Sequence, residues 1–123
     1  MATGNVEFDT MAEAFKKTQN EIQKLSQNRS RLLTQQNEND MVKTELMSLD
    51  NENGEATVYK LVGPTLIKQD KLEARAAVDR RLEYITRLLD ETDKKMEELE
   101  KSGEEQRKKL LEYQAKQAQQ QQQ

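Results

Sequence analysis

The sequence has no cysteine and no histidine, one proline, four glycines and only 4% aromatic residues. Without cysteine there are no disulfides and no thiol chemistry, and without histidine the chain lacks the commonest general base and transition-metal ligand. The four glycines are scattered, so no glycine-rich loop is present to bind a phosphate. We therefore expect no enzyme, no cofactor and no metal site.

Long hydrophobic runs and an excess of one charge are absent too. No segment approaches the roughly 18 apolar residues of a membrane span, and the first residues lack the apolar core of a secretion signal. Twenty basic residues are balanced by 23 acidic ones, which gives a net charge of −3 and a pI near 5.2. Such a balance does not attract nucleic acid. We expect a soluble, cytoplasmic protein without membrane or nucleic-acid partners.

The composition also argues against an ordinary globular core. Hydrophobic residues make up 33% of the 123 residues and charged residues 35%, and helix formers such as Glu, Lys, Gln and Leu dominate. We expect a mainly α fold in which two long helices form an antiparallel coiled coil, joined by a β-hairpin. The expected boundaries are about 5–50 for the first helix, 57–68 for the hairpin, 70–117 for the second helix and 118–123 for a disordered glutamine tail.

The β-hairpin prediction rests on the segment 54–70, where β-branched residues cluster around the single proline. The strands are predicted at 57–62 and 65–68, with Gly63 and Pro64 in the turn. A lone hairpin is marginally stable and has two unpaired edges. We expect hairpins of other chains to complete the sheet, the alternative being packing on its own helices alone. The assembly residues would be Val58, Tyr59, Leu61, Val62, Leu66 and Ile67.

The first helix is predicted from a heptad series. It begins at Asn5 or at Thr10, where Thr10 and Glu13 have the spacing of a capping box. Six of eight successive a and d positions are apolar, which is typical of a coiled-coil seam. The series consists of Phe8, Met11, Phe15, Thr18, Ile22, Leu25, Arg29 and Leu32.

The second helix is predicted to start at Asp70, with Glu73 completing a capping pair. Its seam includes Val78, Leu82, Ile85, Leu89, Thr92, Met96, Leu99, Gly103, Leu110 and Tyr113. One antiparallel register brings the weak layers of both helices together. It joins Phe8 to Tyr113, Thr18 to Gly103, Leu25 to Met96, Arg29 to Thr92 and Leu32 to Leu89.

The far end of this coiled coil is rich in apolar side chains. They serve as coil core, but rings and flexible methionines at an open end can also hold exposed apolar segments of another protein. We therefore regard this end as a candidate client-binding tip. Its residues are Phe8, Met11, Phe15, Leu110, Leu111 and Tyr113.

Three segments resemble the β-class subunits of prefoldin. They are NDMVKTEL at 39–46, VYKLVGPTLIKQ at 58–69 and EARAAVDRRLEYI at 73–85. The resemblance is strong over residues 36 to 89, and outside them it is one of heptad pattern and length.

The resemblance implies a single prefoldin β-type domain in a heterohexamer of two α-class and four β-class subunits. In that family, hairpins build β-barrels, and coiled-coil tips hold unfolded actin and tubulin and pass them to the cytosolic chaperonin without ATP. By position, the hairpin residues would be assembly contacts and the tip residues client contacts. A structural coiled-coil adaptor, or a subunit of a prefoldin-like complex without holdase activity, is the alternative.

Overall fold

The computed structural model describes residues 6–49 and 57–122. It contains helix α1 (Val6–Leu49), strands β1 (Val58–Val62) and β2 (Thr65–Gln69), and helix α2 (Lys71–Gln122). The fold is thus mainly helical, with two long helices and an antiparallel two-stranded hairpin between them. This confirms the predicted fold class.

Helix α1 runs for 44 residues because the segment contains no glycine or proline. The helix begins at Val6, and the Thr10 hydroxyl donates a hydrogen bond to the Val6 carbonyl at 2.9 Å. Thr10 therefore lies inside the helix and does not cap it, so the alternative start at Thr10 is wrong. The other predicted start, Asn5, and the turn-rich segment 50–54 lie outside the described residues.

Helix α2 begins immediately after Asp70, whose carbonyl accepts the N–H of Ala74 at 2.9 Å. Asp70 is thus the flanking residue at the helix start, as the sequence predicts. At the other end the helix continues to Gln122, whereas we expected disorder from residue 118. Glutamine and alanine are good helix formers and no breaker interrupts them, so the backbone stays helical. Gln123 lies outside the described residues.

The hairpin closes through a two-residue turn at Gly63 and Pro64. Gly63 has φ of +59°, which a residue with a Cβ rarely adopts. Because proline fixes φ near −65°, the turn has the φ pattern of type II′, which matches the twist of the flanking strands. The strands pair from Val62 with Thr65 at the turn to Val58 with Gln69 at the base. Each strand is within one residue of its predicted bounds.

The chain divides into two compact units, and each has its own seam. In residues 30–90, the hairpin unit, two clusters of apolar side chains are buried between α1 and α2. Leu32 packs with Ile85 and Leu89, as the predicted register requires. Nearer the strands, the second cluster consists of Leu46, Ala74 and Val78, with Leu49, Val58 and Leu82 against it.

The other unit, the terminal unit, consists of residues up to 29 and from 91. Here the ring centroids of Phe8 and Tyr113 are 5.9 Å apart. A Cβ on the buried Gly103 would lie 3.6 Å from the Thr18 methyl group. Both pairs are those of the predicted register, which this unit therefore confirms. Among its described residues, the buried side chains are the polar Thr18 and Thr92, and its apolar seam residues are only half-buried.

Candidate interaction surfaces

The hairpin carries apolar side chains on both of its faces. Strand pairing places Tyr59, Leu61 and Leu66 on one face, because Leu61 is paired with Leu66 and side chains alternate along a strand. Val58, Val62 and Ile67 lie on the opposite face by the same alternation. The six predicted assembly residues are therefore divided equally between the two faces.

Only one of these six side chains contributes to the core of its own chain. Val58 is half-buried and packs against the cluster of Leu46, Ala74 and Val78. The other five are exposed, from 48% for Val62 to 68% for Leu61. The hairpin is therefore not covered by its own helices in the described structure. Its exposure supports the expected role in assembly over the alternative of packing within the chain.

The strands also offer backbone hydrogen-bonding groups. In the described part of the chain the sheet has two strands, so each strand is paired along one side. The other side carries a row of N–H and C=O groups, which is the usual template for adding a further strand. Apolar faces and open edges together fit a hairpin that joins a larger sheet.

The six predicted tip residues lie in the terminal unit, but most of them point into its seam. Phe8 and Tyr113 contact each other through their rings. Met11, Phe15 and Leu110 are half-buried, and Leu111 is 51% exposed. The structure therefore brings the two rings together and leaves one of the six side chains largely in solvent. Val6, which the sequence analysis did not select, is also exposed here.

Sequence reasoning missed an apolar cleft beside the hairpin. The cleft has a volume of about 200 Å³ and lies between the two helices and the first strand. Its lining includes Val42, Val58, Ala77, Val78 and Arg81. One turn beyond Arg81, Tyr84 is 56% exposed, although it is aromatic. The signal in the sequence was that Tyr84 falls outside the heptad series of α2.

Two exposed ion pairs each contain a side chain whose pKa is shifted by a hydrogen bond. In the terminal unit, Arg29 Nε lies 2.6 Å from Asp93 Oδ1, and this hydrogen bond to a carboxylate raises the pKa of Arg29. Arg107 donates to Glu104 at 2.6 Å, and that hydrogen bond lowers the pKa of the Glu104 carboxyl. Arg29 stands at a seam position, so an ion pair rather than apolar packing joins the two helices in this layer of the coiled coil.

Metal-binding clusters and membrane-spanning helices are both absent from the described residues. No three His, Cys, Asp or Glu side chains among them come together in a way that could hold a metal ion. None of the helices in the described ranges has a stretch that is both long and apolar enough to cross a membrane.

Comparison with known proteins identifies relatives along most of the chain. A family model described as prefoldin subunit matches residues 9–122. Prefoldin subunit 6 of Mus musculus is 39% identical over 102 residues, which cover 83% of this chain and 78% of that protein. Prefoldin subunit 6 of Arabidopsis thaliana is 35% identical over 108 residues, with 88% and 81% covered. Probable prefoldin subunit 6 of Dictyostelium discoideum is 51% identical over 73 residues, which cover 59% of this chain and 50% of that protein.

A solved structure shares the fold. The prefoldin beta subunit from Thermococcus strain KS-1 superimposes with a TM-score of 0.78, covering 92% of this chain and 96% of that one. Its sequence identity is 19%, so this similarity supports the fold alone. Membership of the family is shown by the family model and by the relatives. On these grounds, the chain belongs to the prefoldin subunit family.

Proposed function

We propose that this chain is a subunit of a hexameric prefoldin co-chaperone in the cytoplasm. Its partners would be α-class and other β-class prefoldin subunits. The complex would bind unfolded proteins such as actin and tubulin at coiled-coil tips and deliver them to the cytosolic chaperonin without ATP. Family membership supports the role as a prefoldin subunit.

The observation that carries the assembly part is the uncovered hairpin. Five large apolar side chains are exposed on a two-stranded sheet with open edges. They are between 48% and 68% exposed, so burying the rest of each would gain roughly half of the ~1.5–3 kcal/mol that full burial of such a side chain gives. In a monomer these side chains stay in contact with water, whereas a sheet shared with other subunits buries them and pairs the open strand edges. The hairpin residues are therefore proposed as assembly contacts.

Client binding is proposed for the tip residues Phe8, Met11, Phe15, Leu110, Leu111 and Tyr113. These side chains are half-buried or exposed at one end of the terminal unit, so their apolar surface is only partly used by the chain itself. Each contact with a client would be weak. Several tips acting on one client raise the overall affinity without preventing its release.

The adaptor alternative is favoured by one specific observation. Five of the six tip residues contribute to the seam, so their side chains have a structural use without any client. An adaptor would need nothing more from them. The two functions therefore differ in holdase activity and not in assembly.

The first experiment measures the mass of the intact complex. A tagged copy is recovered from its own cells, and the intact assembly is measured by native mass spectrometry. We expect the mass of six small subunits, which would support the proposed prefoldin role. A lone chain or a homodimer would contradict it.

The second experiment tests the tip. Phe8, Met11 and Phe15 are replaced by Ser in the assembled complex, and suppression of the aggregation of unfolded actin is measured without nucleotide. We expect most of the suppression to be lost while the mass of the complex is unchanged. Ile22→Ser is the matched control, because it weakens the same seam away from the end. Equal suppression by wild type and triple variant would contradict client binding at these residues, and no suppression by either would favour the adaptor.

A further inference from the structure

A basic and aromatic surface lies on α2 next to the hairpin. Arg80, Tyr84 and Arg87 are spaced by four and three residues, so they stand on one face of the helix. Tyr84 is more than half exposed, and Arg87 Cζ lies 5.9 Å from the centroid of its ring. Tyrosine and arginine are among the residue types enriched where proteins bind one another. We call this set the arginine–tyrosine face.

Its charge stands out against the rest of the chain. From residue 80 to 87 the helix carries three arginines and one acidic residue, although acidic residues outnumber basic ones overall. Arg80 is exposed, and among the described residues it has no carboxylate within ion-pair distance. Its positive charge is thus available to a partner that brings carboxylates.

The arginine–tyrosine face adjoins the apolar cleft and the hairpin. Ala77, which lines the cleft, stands two turns before Tyr84 on the same side of α2. Tyr59 and Lys60 of the first strand line the same cleft. A protein that adds to the hairpin therefore comes close to this face as well, which makes a neighbouring subunit a better occupant than a client held at the tip.

The chain itself displays the chemistry that would fit this face. On α1, Glu38, Met41 and Glu45 are exposed and are spaced by three and four residues. This is the spacing of the arginine–tyrosine face in reverse order, as antiparallel helices require. Two carboxylates about 10.5 Å apart along the helix axis would meet two arginines at the same separation. The methionine sulfur would meet the tyrosine ring, a favourable contact.

We infer that the arginine–tyrosine face docks the first helix of a neighbouring prefoldin-type subunit, one that presents carboxylate, apolar and carboxylate side chains in the pattern of Glu38, Met41 and Glu45. The contact pairs Arg80 with the position of Glu45, Tyr84 with that of Met41, and Arg87 with that of Glu38. It joins two different faces, so it is a heterologous contact between neighbouring subunits. The inference rests on the proposed prefoldin role and extends assembly beyond the hairpin.

Charge reversal tests the electrostatic part in the intact complex. Arg80→Glu with Arg87→Glu should reduce incorporation of the full-length chain into the complex at least tenfold, as judged by native mass spectrometry after recovery from cells. Lys94→Glu with Lys101→Glu is the matched control, because it makes the same charge change at the same spacing on the same helix. Equal incorporation of both double variants, with unchanged helical circular dichroism, would overturn the inference.

A photo-crosslink identifies the occupant directly. Tyr84 is replaced by p-benzoylphenylalanine in the full chain, the assembled complex is irradiated, and the linked peptide is sequenced. We expect a peptide from the first helix of another subunit, with acidic residues three and four positions on either side of the linked residue. A link to actin or to the chaperonin, or no link at all, would overturn the inference. The same probe at Leu111 should not link to the part of a first helix that corresponds to Glu38, Met41 and Glu45.

The inference and the proposed function fail in different ways. If wild-type chain is recovered without prefoldin subunits, the proposed function itself is wrong. If the wild type assembles and both tests at the arginine–tyrosine face are negative, the hairpin alone carries assembly.

Discussion

The hairpin unit and the terminal unit use their apolar side chains in opposite ways. Among the described residues, all six apolar side chains that are buried lie in the hairpin unit, including Leu32, Val78 and Leu89. The same unit holds ten of the twelve large apolar side chains that the described structure leaves exposed, and the terminal unit holds only Val6 and Leu111. The hairpin unit therefore has both the better core and the surface in greater need of a partner.

The difference indicates where binding energy is available. Contiguous exposed apolar surface in a folded protein marks an interaction site, and here it is concentrated on the hairpin and the helix segments beside it. The terminal unit holds its apolar residues half-buried in a seam interrupted by polar layers. Such a seam is weaker, and its side chains are the ones that a modest local opening would uncover. Permanent assembly thus suits the first unit and reversible contact the second.

The largest expected effect comes from placing charge on the exposed hairpin. Leu61→Asp with Leu66→Asp alters a facing pair, and carboxylates cannot be buried in a shared sheet without a large cost. We expect incorporation into the complex to fall at least a hundredfold, while helical circular dichroism of the chain changes little. Native mass spectrometry of the recovered complex is the measurement. Leu111→Asp, equally apolar and exposed but in the terminal unit, should assemble normally.

The same substitution, leucine to alanine, compares how much each seam contributes to the free energy of unfolding. Leu89→Ala empties a buried position beside Leu32 and Ile85, so we expect a loss of about 2–4 kcal/mol in the free energy of unfolding. Leu99→Ala, at a half-buried seam position of the terminal unit, should cost about half as much. Urea unfolding followed by circular dichroism measures both. Equal losses would show that the seams do not differ.

Substitutions at Gly103 test how much space the seam of the terminal unit leaves around this residue. Gly103→Ala removes a helical glycine and should raise the free energy of unfolding by about 0.5–1 kcal/mol. The new Cβ would lie 3.3 Å from the amide nitrogen of Gln19, at the flexible end of an exposed side chain that can move away. Gly103→Leu should destabilise instead, because its larger side chain meets Thr18. Thermal unfolding of the two variants decides the sign.

The smallest effect concerns pH. The pKa of Glu104 is lowered by its hydrogen bond with Arg107, so the folded chain binds this proton less readily than the unfolded chain. The resulting stability is present above the ordinary carboxyl pKa and is lost as the pH falls through the lowered one. NMR titration should show a lower carboxyl pKa for Glu104 than for the same residue in Arg107→Gln. Equal values would mean that this exposed pair contributes nothing.

Much of the fold is predictable because each element has its own local signal. Long segments with no proline and at most one glycine predict the helices, and β-branched residues around Gly63 and Pro64 predict the hairpin to within one residue. The register was predictable as well, because it pairs Arg29 with Thr92, whereas a shift of one heptad would set Arg29 against Leu99 or Ile85. Tertiary pairing here follows from a linear pattern, which is seldom true of globular folds.

Other features depend on competing local interactions, and the sequence does not show which of them prevails. The Thr10 hydroxyl can cap a helix or bond to a preceding carbonyl, and the structure shows the second. The glutamine tail has low complexity, yet its helix propensity carries α2 to Gln122. Tyr84 was overlooked because a residue outside the heptad series looks like ordinary surface. Only its exposure beside Arg87 and the cleft distinguishes it.

The two-residue turn at Gly63 and Pro64 also bears on the order in which the chain folds. Short loops close at little entropic cost, and a hairpin forms within roughly 1–10 μs. Leu46 then meets Ala74 across a short stretch of chain, whereas Phe8 and Tyr113 are joined across almost the whole sequence. Pairing can therefore proceed as a zipper from the middle of the chain to its two ends. During synthesis, α1 has no partner until α2 is made, so 44 of the 123 residues are exposed before their seam can close.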